Sequence, residues 1–133
     1  MLNLETALGD NAKAVNDVLD SLLELTDGPE SRVVEAMRYT ALSGGKRIRS
    51  FLVTASAELF NVEKRSALRV AAAIEMIHCY SLIHDDLPAM DDDELRRGQA
   101  TCHIKFDEAT AILAGDALLT KAFEVVSNEK THN

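Results

Sequence analysis

Six carboxylates lie close together between Asp85 and Glu94 of this 133-residue chain. Asp85 and Asp86 end a long apolar segment, and Asp91 follows after residues 87–90. Carboxylates at the C-terminal end of a buried helix are disfavoured by burial and by the negative end of the helix dipole. Mg²⁺ offsets both penalties, because it binds carboxylate, phosphate and water oxygens. We therefore predict that Asp85, Asp86 and Asp91 hold Mg²⁺, and a solvated acidic turn is the plainer alternative.

Other metals fit this pattern less well. A helix-loop-helix calcium site needs alternating acidic residues, a central glycine and a closing glutamate, and these are not in place. Zinc is disfavoured because His78 and His84 lack the usual i, i+4 spacing. Neither Cys79 nor Cys102 is aligned with these histidines. Magnesium therefore remains the predicted cation.

A glycine pair followed by basic residues at 44–49 is the second candidate site. Glycines allow the backbone to approach a ligand closely, while a helix N-terminus, Lys46 and Arg49 suit a diphosphate. The segment is not a P-loop, because it has no glycine five positions before the Gly45-Lys46 pair. Taken alone, it also fits a turn with a solvated basic patch.

Three further residues could contact the same diphosphate. His78 lies seven residues before Asp85, about two turns up the same helix face. Arg96 and Arg97 follow the carboxylates directly and would face phosphates bound there. The alternatives are a core histidine and two arginines that only balance the acidic loop.

The elements that position these residues are predicted to be helices, since apolar residues recur at helical spacing and no convincing strand or repeat appears. The segment from about Lys64 to Asp86 is apolar on nearly every side, which is typical of a buried central helix, and Pro88 ends it. Ser31 is predicted to cap the second helix. The fold class is therefore all-α, with about five helices and short connections. The predicted helices cover about residues 4–25, 31–42, 46–60, 64–86 and 106–126.

Composition and charge exclude several classes of protein. The chain is 47% hydrophobic and has a net charge of −8, which argues against a nucleic-acid partner. The two cysteines have no metal or disulfide spacing, which predicts a reduced, cytoplasmic protein. The first ten residues do not resemble a signal peptide. The longest apolar run is too short to cross a bilayer, so no membrane span is predicted.

Residues 44–49, 75–84 and 85–98 together closely resemble three motifs of the trans-isoprenyl diphosphate synthases, in that family's order. The nearest type is the bacterial, farnesyl-forming one. The resemblance extends over about residues 28–126, with the sharpest motifs at 44–103 and a polar tail at 127–133. It implies that residues 1–133 are the N-terminal portion of one prenyl synthase domain, the first half of the isoprenoid synthase helical bundle.

The resemblance also implies roles for the candidate residues. Several Mg²⁺ ions, bridged by the allylic diphosphate (dimethylallyl or geranyl), would be held by Asp85 and Asp91, with Asp86 beside them. Isopentenyl diphosphate would be the second substrate, and a homodimer the usual assembly. The residues expected to hold isopentenyl diphosphate are Lys46, Arg49, His78 and Arg97, while Arg96 contacts the allylic diphosphate; Asp85, Asp86, Asp91 and Arg96 are the expected catalytic set.

Product length in such enzymes is set by side chains just before the first aspartate. Tyr80 and Ser81 lie five and four residues before Asp85, and two extra residues, Pro88 among them, separate the aspartates. This combination resembles the bacterial farnesyl type. The alternative is that Tyr80 is only an aromatic residue of the core.

The chain also departs from the family pattern. Family members are about twice as long, and a second aspartate-rich motif and a later lysine are absent here. The helices present are expected to expose apolar faces. Three hypotheses follow: a prenyltransferase with partial catalytic apparatus, a diphosphate- and Mg²⁺-binding fragment without turnover, and a helical subunit completed by another chain. Terpene cyclases are disfavoured, because residues 44–49 and His78 would have no role in them.

Overall fold

A computed structural model describes residues 3–132. The described residues exclude Met1 and Leu2, in the segment for which no signal peptide is predicted, and Asn133, in the predicted polar tail. The elements in chain order are α1 (Leu4–Leu22), α2 (Ser31–Ala41), α3 (Ile48–Leu59), α4 (Lys64–Asp85), β1 (Leu95–Arg96), β2 (Gln99–Ala100), α5 (Cys102–Lys105), α6 (Glu108–Ser127) and a 3-10 turn (Glu129–Thr131).

The all-α prediction is confirmed, with two differences in detail. Six α-helices occur in residues 3–132 instead of about five, because the four-residue α5 was not expected. A two-stranded hairpin also occurs, pairing Leu95 with Ala100 and Arg96 with Gln99. Its two central residues, Arg97 and Gly98, have φ of 51° and 76°, as a tight hairpin turn requires. Strands this short leave no alternating pattern in the sequence to detect.

Helix α4 lies at the centre of the bundle and packs against α1, α2, α3 and α6. Its apolar residues form the core with those of the neighbouring helices. The position predicted from its all-round hydrophobicity is therefore confirmed, although Ile74 is partly exposed. The largest fully buried apolar side chains are Val15, Leu19, Met76, Ile83, Leu118 and Val125.

One contact brings α4 and α6 close together at the end of α4. Gly115 is buried within α6, and a Cβ at that position would overlap the His84 ring. His84 Nε2 lies 3.0 Å from the Ile112 carbonyl of α6. A glycine costs about 1 kcal/mol within a helix, and here it leaves room for the ring. This packing anchors the last turn of α4, which carries Asp85.

Two of the six α-helices in the described residues begin with side-chain caps. Asn3 Oδ1 accepts from the Glu5 amide at 2.9 Å at the start of α1. Asp107 Oδ1 accepts from the Thr110 amide at 2.7 Å at the start of α6. The predicted Ser31 cap is wrong, because Ser31 is already the first helical residue of α2 and Glu30 holds the cap position without a side-chain bond.

Apolar side chains remain exposed on the described part of the chain, as the sequence predicts. Leu59 and Phe60 at the end of α3 are 80% and 79% exposed. An apolar groove of about 600 Å³ lies beside Phe60, between α3 and the first turns of α4. Among residues 3–132, α4 alone is long and apolar enough to meet a length-and-composition test for a membrane span. Half of the window that meets this test is buried inside the protein.

Candidate functional site

A cavity of about 530 Å³ opens between the segment after α2, the second half of α4 and the hairpin. Basic side chains from these segments converge on it, although Lys46 and Arg97 are 51 positions apart in the sequence. The predicted site residues that line the cavity are Lys46, Arg49, His78, Asp86, Arg96 and Arg97.

The loop between α2 and α3 has an unusual backbone. Gly44 and Gly45 have φ of 96° and 119°, which glycine adopts at little cost. A Cβ on Gly45 would overlap the Arg97 guanidinium, whose Nη1 donates to the Gly44 carbonyl at 3.1 Å. The glycine pair therefore lets the hairpin arginine lie against the loop. Lys46 and Arg49 remain exposed at the cavity.

Arg96 is held by Asp86 at the back of the cavity. Arg96 Nη2 and Nε donate to the two carboxylate oxygens of Asp86 at 2.6 and 3.2 Å. Asp86 is buried, and its hydrogen bond raises the pKa of Arg96 above the ordinary value. Both oxygens of Asp86 are thus engaged by an arginine. The structure therefore shows that Asp86 holds Arg96. The role of Asp86 as a Mg²⁺ ligand stays a prediction.

Asp85 and Asp91 are brought together by the turn that follows α4. The Asp91 amide donates to the Asp85 carbonyl at 2.7 Å, so the chain folds back on the helix end. Asp91 is exposed and Asp85 half-buried, and neither lines the cavity. No group of three or more His, Cys, Asp or Glu side chains within residues 3–132 is arranged to hold a metal. Two accessible carboxylates still fit Mg²⁺, which takes few protein oxygens and completes its shell with phosphate and water.

His78 lines the cavity as a neutral group. Burial lowers the pKa of His78 below its ordinary value of 6.5, and the charge of Arg49 lowers it further. Arg97 and Arg96 act in the same direction, while Glu75 opposes them. Burial is thus the main cause of the lowered pKa, and the neighbouring arginine charges, which an anionic ligand would offset, add to it.

Tyr80 and Ser81 do not line this cavity. The Tyr80 ring packs edge-on against the His84 ring, with centroids 5.5 Å apart. Ser81 Oγ donates to the His78 carbonyl at 2.6 Å, one turn earlier in α4. Both side chains are half-buried. Their predicted role in product length therefore stays a prediction.

Sequence reasoning missed a buried ion pair beneath the loop. Arg47 Nη1 donates to Glu75 Oε2 at 3.0 Å, and both side chains are 4% exposed. Glu75 Oε1 also accepts from the Ser50 amide at 3.3 Å, in the first turn of α3. The available signal was Glu75 itself, an acid within the apolar stretch 70–77. Glu75 therefore occupies one amide at the α3 N-terminus, and the predicted use of that N-terminus for a diphosphate stays a prediction.

Two cysteines also line the cavity. Cys79 and Cys102 are free and buried. Burial raises the pKa of each thiol to about 11. Neither is therefore a nucleophile near neutral pH.

The fold and the site together define a class: a helical protein with a cationic cavity beside an aspartate-rich helix end. The polyprenyl synthetase family model matches residues 30–133, and the chain belongs to that family. The farnesyl diphosphate synthase of Haemophilus influenzae is 56% identical over 119 residues, which are 90% of this chain and 40% of that protein. The Escherichia coli farnesyl diphosphate synthase is 55% identical over 116 residues, 87% of this chain and 39% of that protein.

A solved structure supports the fold independently. The apo crystal structure of an FPP/GFPP synthase from Zymomonas mobilis matches with a TM-score of 0.95 and 52% identity. The match covers 98% of this chain and 47% of that one. The described helices are thus the isoprenoid synthase helices. The chain spans less than half the length of these relatives.

Proposed function

We propose that this chain is the N-terminal portion of a single prenyl synthase domain, which condenses isopentenyl diphosphate with dimethylallyl or geranyl diphosphate. Farnesyl diphosphate is reached by two successive condensations from dimethylallyl diphosphate or by one from geranyl diphosphate, and each condensation releases pyrophosphate. The observation that carries the proposal is the meeting of cationic side chains from residues 46–49 and the hairpin in one cavity, which His78 of α4 also lines, next to the helix end and turn that bear Asp85 and Asp91. The farnesyl product is supported by the names of the similar synthases.

Different residues are assigned to the binding of the two diphosphates. Lys46, Arg49 and Arg97 carry the positive charge that binds isopentenyl diphosphate, with His78 as a neutral hydrogen-bond donor. Asp85 and Asp91 would hold Mg²⁺, with Asp86 beside them. When bound, Mg²⁺ supplies charge that stabilises the departing pyrophosphate.

Arg96 faces the allylic diphosphate in this proposal. Its guanidinium is held by Asp86, so it donates from a fixed position as negative charge builds on the leaving group. The allylic C–O bond breaks, and the double bond of isopentenyl diphosphate attacks the resulting cation. Loss of a proton then gives a product one isoprene unit longer.

A second candidate function is diphosphate and Mg²⁺ binding without turnover. It is favoured by the chain's coverage of only 40% of a relative's length. A third, a helical subunit completed by another chain, is favoured by the exposed apolar residues of α3. A homodimer and a cytoplasmic location belong to the same proposal.

The test is turnover of geranyl and labelled isopentenyl diphosphate with Mg²⁺ by the 133-residue chain. Asp85→Asn is expected to lower product formation by about 100-fold, as the loss of a transition-state charge contact does. Asp92→Asn is the matched control, because Asp92 lies in the loop that follows Asp85. Its φ of 53° is one that asparagine tolerates. Equal losses in both variants would contradict the assignment of Asp85. No product in the wild type, with Mg²⁺-dependent diphosphate binding retained, would favour the second candidate.

A further inference from the structure

We propose that the buried Arg47–Glu75 pair is a positioning device that fixes residues 44–49 in the conformation that presents Lys46 and Arg49 to the cavity. The inference rests on the proposed binding of a diphosphate there. Arg47 and Glu75 are positioning residues, since neither is accessible enough to bind the ligand itself.

The Arg47 side chain is held at every nitrogen. Nη1 donates to Glu75, while Nε and Nη2 donate to Asn16 Oδ1 at 3.2 and 2.8 Å. Nη2 also donates to the Ala41 carbonyl at the end of α2. The guanidinium therefore joins α1, α2 and α4 at one point. Such a fork has a single low-energy orientation when all its acceptors are fixed.

The anchored side chain of Arg47 is attached to a strained stretch of backbone. Arg47 has φ of 55° and ψ of 39°, a left-handed conformation that costs a non-glycine residue energy. It turns the Arg47 side chain inward while the flanking Lys46 and Ile48 stay exposed. The anchored guanidinium compensates for the strained backbone. Without it, the chain would relax and Lys46 would lose its place at the cavity.

Glu75 fixes the other end of the segment. Arg47 occupies the cap position of α3 but makes no side-chain cap bond. Glu75, from α4, accepts from the Ser50 amide instead and so caps α3 from outside the helix. The first turn of α3, which carries Arg49, is thereby tied to α4. Glu75 lies one turn before His78, so the same helix sets the distance between Arg49 and His78.

Stability alone is a weak reason for such a pair. A buried ion pair is often no more stabilising than apolar residues of similar volume, because both charges lose their hydration. Its distinctive contribution is a fixed geometry. A purely structural role and a positioning role therefore make different predictions for a folded variant without these two charges. The structural role predicts normal binding of pyrophosphate, and the positioning role predicts weaker binding.

The experiment uses the double variant Arg47→Met/Glu75→Gln in the 133-residue chain. The amide introduced in place of the Glu75 carboxylate keeps an oxygen for the Ser50 amide, and no unpaired charge is left. The matched control is Lys121→Met/Glu124→Gln, which removes the exposed i, i+3 pair of α6. Hydrogen exchange of residues 44–50 and binding of inorganic pyrophosphate with Mg²⁺ are measured, with circular dichroism to verify folding.

We expect faster exchange of residues 44–50 in the folded double variant and about a tenfold loss of pyrophosphate affinity, as for removal of supporting residues around a site. The control should change neither. Lys46→Met should lose affinity with unchanged exchange. If exchange in the folded double variant equals that of the wild type, the inference is overturned.

Failure of the proposed function gives a different result. If the wild type binds no pyrophosphate, diphosphate binding is refuted, and hydrogen exchange still decides whether the pair fixes the loop. If the double variant does not fold, Asn16→Ala replaces it, because that change removes two hydrogen bonds to Arg47 and leaves the charges paired. A smaller increase in exchange is then expected, and no increase would overturn the inference.

Discussion

Individual side chains in this site are defined more by their neighbours than by their own chemistry. Asp86 is one of three motif aspartates in sequence, yet it alone is buried against Arg96. Asp91, five residues later, is exposed. The same residue type therefore takes two environments within one turn of the chain. Predictions for single residues must follow these environments.

Gly45 is expected to be required for the position of Arg97. A Cβ at Gly45 would overlap the Arg97 guanidinium, so Gly45→Ala should lower pyrophosphate affinity by about tenfold. Gly44→Ala is the control, because Gly44 also has a positive φ but open space around it. Both variants carry the same kind of backbone strain. Calorimetric titration with pyrophosphate and Mg²⁺ measures the difference, and equal affinities in the two variants would contradict the prediction.

His78 should link ligand binding to pH. Its folded-state pKa lies below 6.5, so as the pH falls through that value the unfolded chain takes up the proton first and stability declines. A diphosphate bound beside His78, as proposed, would raise the pKa of that imidazole, and its affinity should therefore increase as the pH falls.

Titration of wild type and His78→Gln across this pH range measures the effect. The ligand's own protonation affects both proteins equally, so the difference between them reports His78. A difference that does not vary with pH would refute a role for this imidazole at the ligand.

At the scale of elements, the stability of a helix N-terminus can depend on a single capping side chain. Helix α6 begins at a cap that depends on one exposed side chain, Asp107. The Thr110 amide, the Thr110 hydroxyl and Arg32 lower the pKa of Asp107 from 3.8 to about 2. Arg32 lies at the start of α2, so the same carboxylate joins two helices. Its stabilising charge is fully present above pH 3.8 and is lost as the pH falls towards 2.

The stabilising contribution of Asp107 should follow that titration. Asp107→Ala removes the cap and should lower Tm at about pH 7, while Asp107→Asn keeps a cap oxygen and should lower it less. The difference in Tm between wild type and Asp107→Asn should shrink at about pH 3, where wild type begins to lose the charge. Thermal unfolding followed by circular dichroism measures both values. A difference that is the same at both pH values would disprove the pKa assignment.

Exposed apolar surface is the dominant property of the whole molecule. Phe60 lines the apolar groove between α3, α4 and the end of α6, its neighbour Leu59 is equally exposed, and other apolar side chains on α6 are exposed as well. Exposed patches of this kind normally mark surfaces that other protein segments cover. The net charge of −8 opposes association only at low salt.

The chain is therefore expected to self-associate, more strongly as salt rises. Leu59→Gln/Phe60→Gln should shift sedimentation velocity towards the monomer at equal protein concentration. Leu95→Gln, which removes a single exposed leucine from the hairpin, is the control. Association that is unchanged in the double variant would exclude the α3 end as the surface involved.

Much of the fold and of the site could be predicted from the sequence. Helical periodicity predicted the five long helices within a few residues of their ends, because burial on one face repeats along the chain itself. The basic residues at 46, 49, 96 and 97 and the histidine at 78 were identified by type and spacing, and the structure gathers them in one cavity. The short α5 and the hairpin were missed, since neither spans enough residues to form a pattern.

Only the tertiary structure decided which charged side chains face the cavity and which support it. Arg47 and Lys46 are adjacent basic residues in sequence, yet one is buried against Glu75 and the other is exposed. The hydrogen bonds that set these environments join residues far apart in the sequence. Arg47 and Glu75 are 28 positions apart, and Arg97 and Gly44, whose bond holds the same loop, are 53 apart. Periodicity carries information about one element and its buried face. It carries none about the partner that a polar group on that face will meet, because the packing of helices against one another sets that partner.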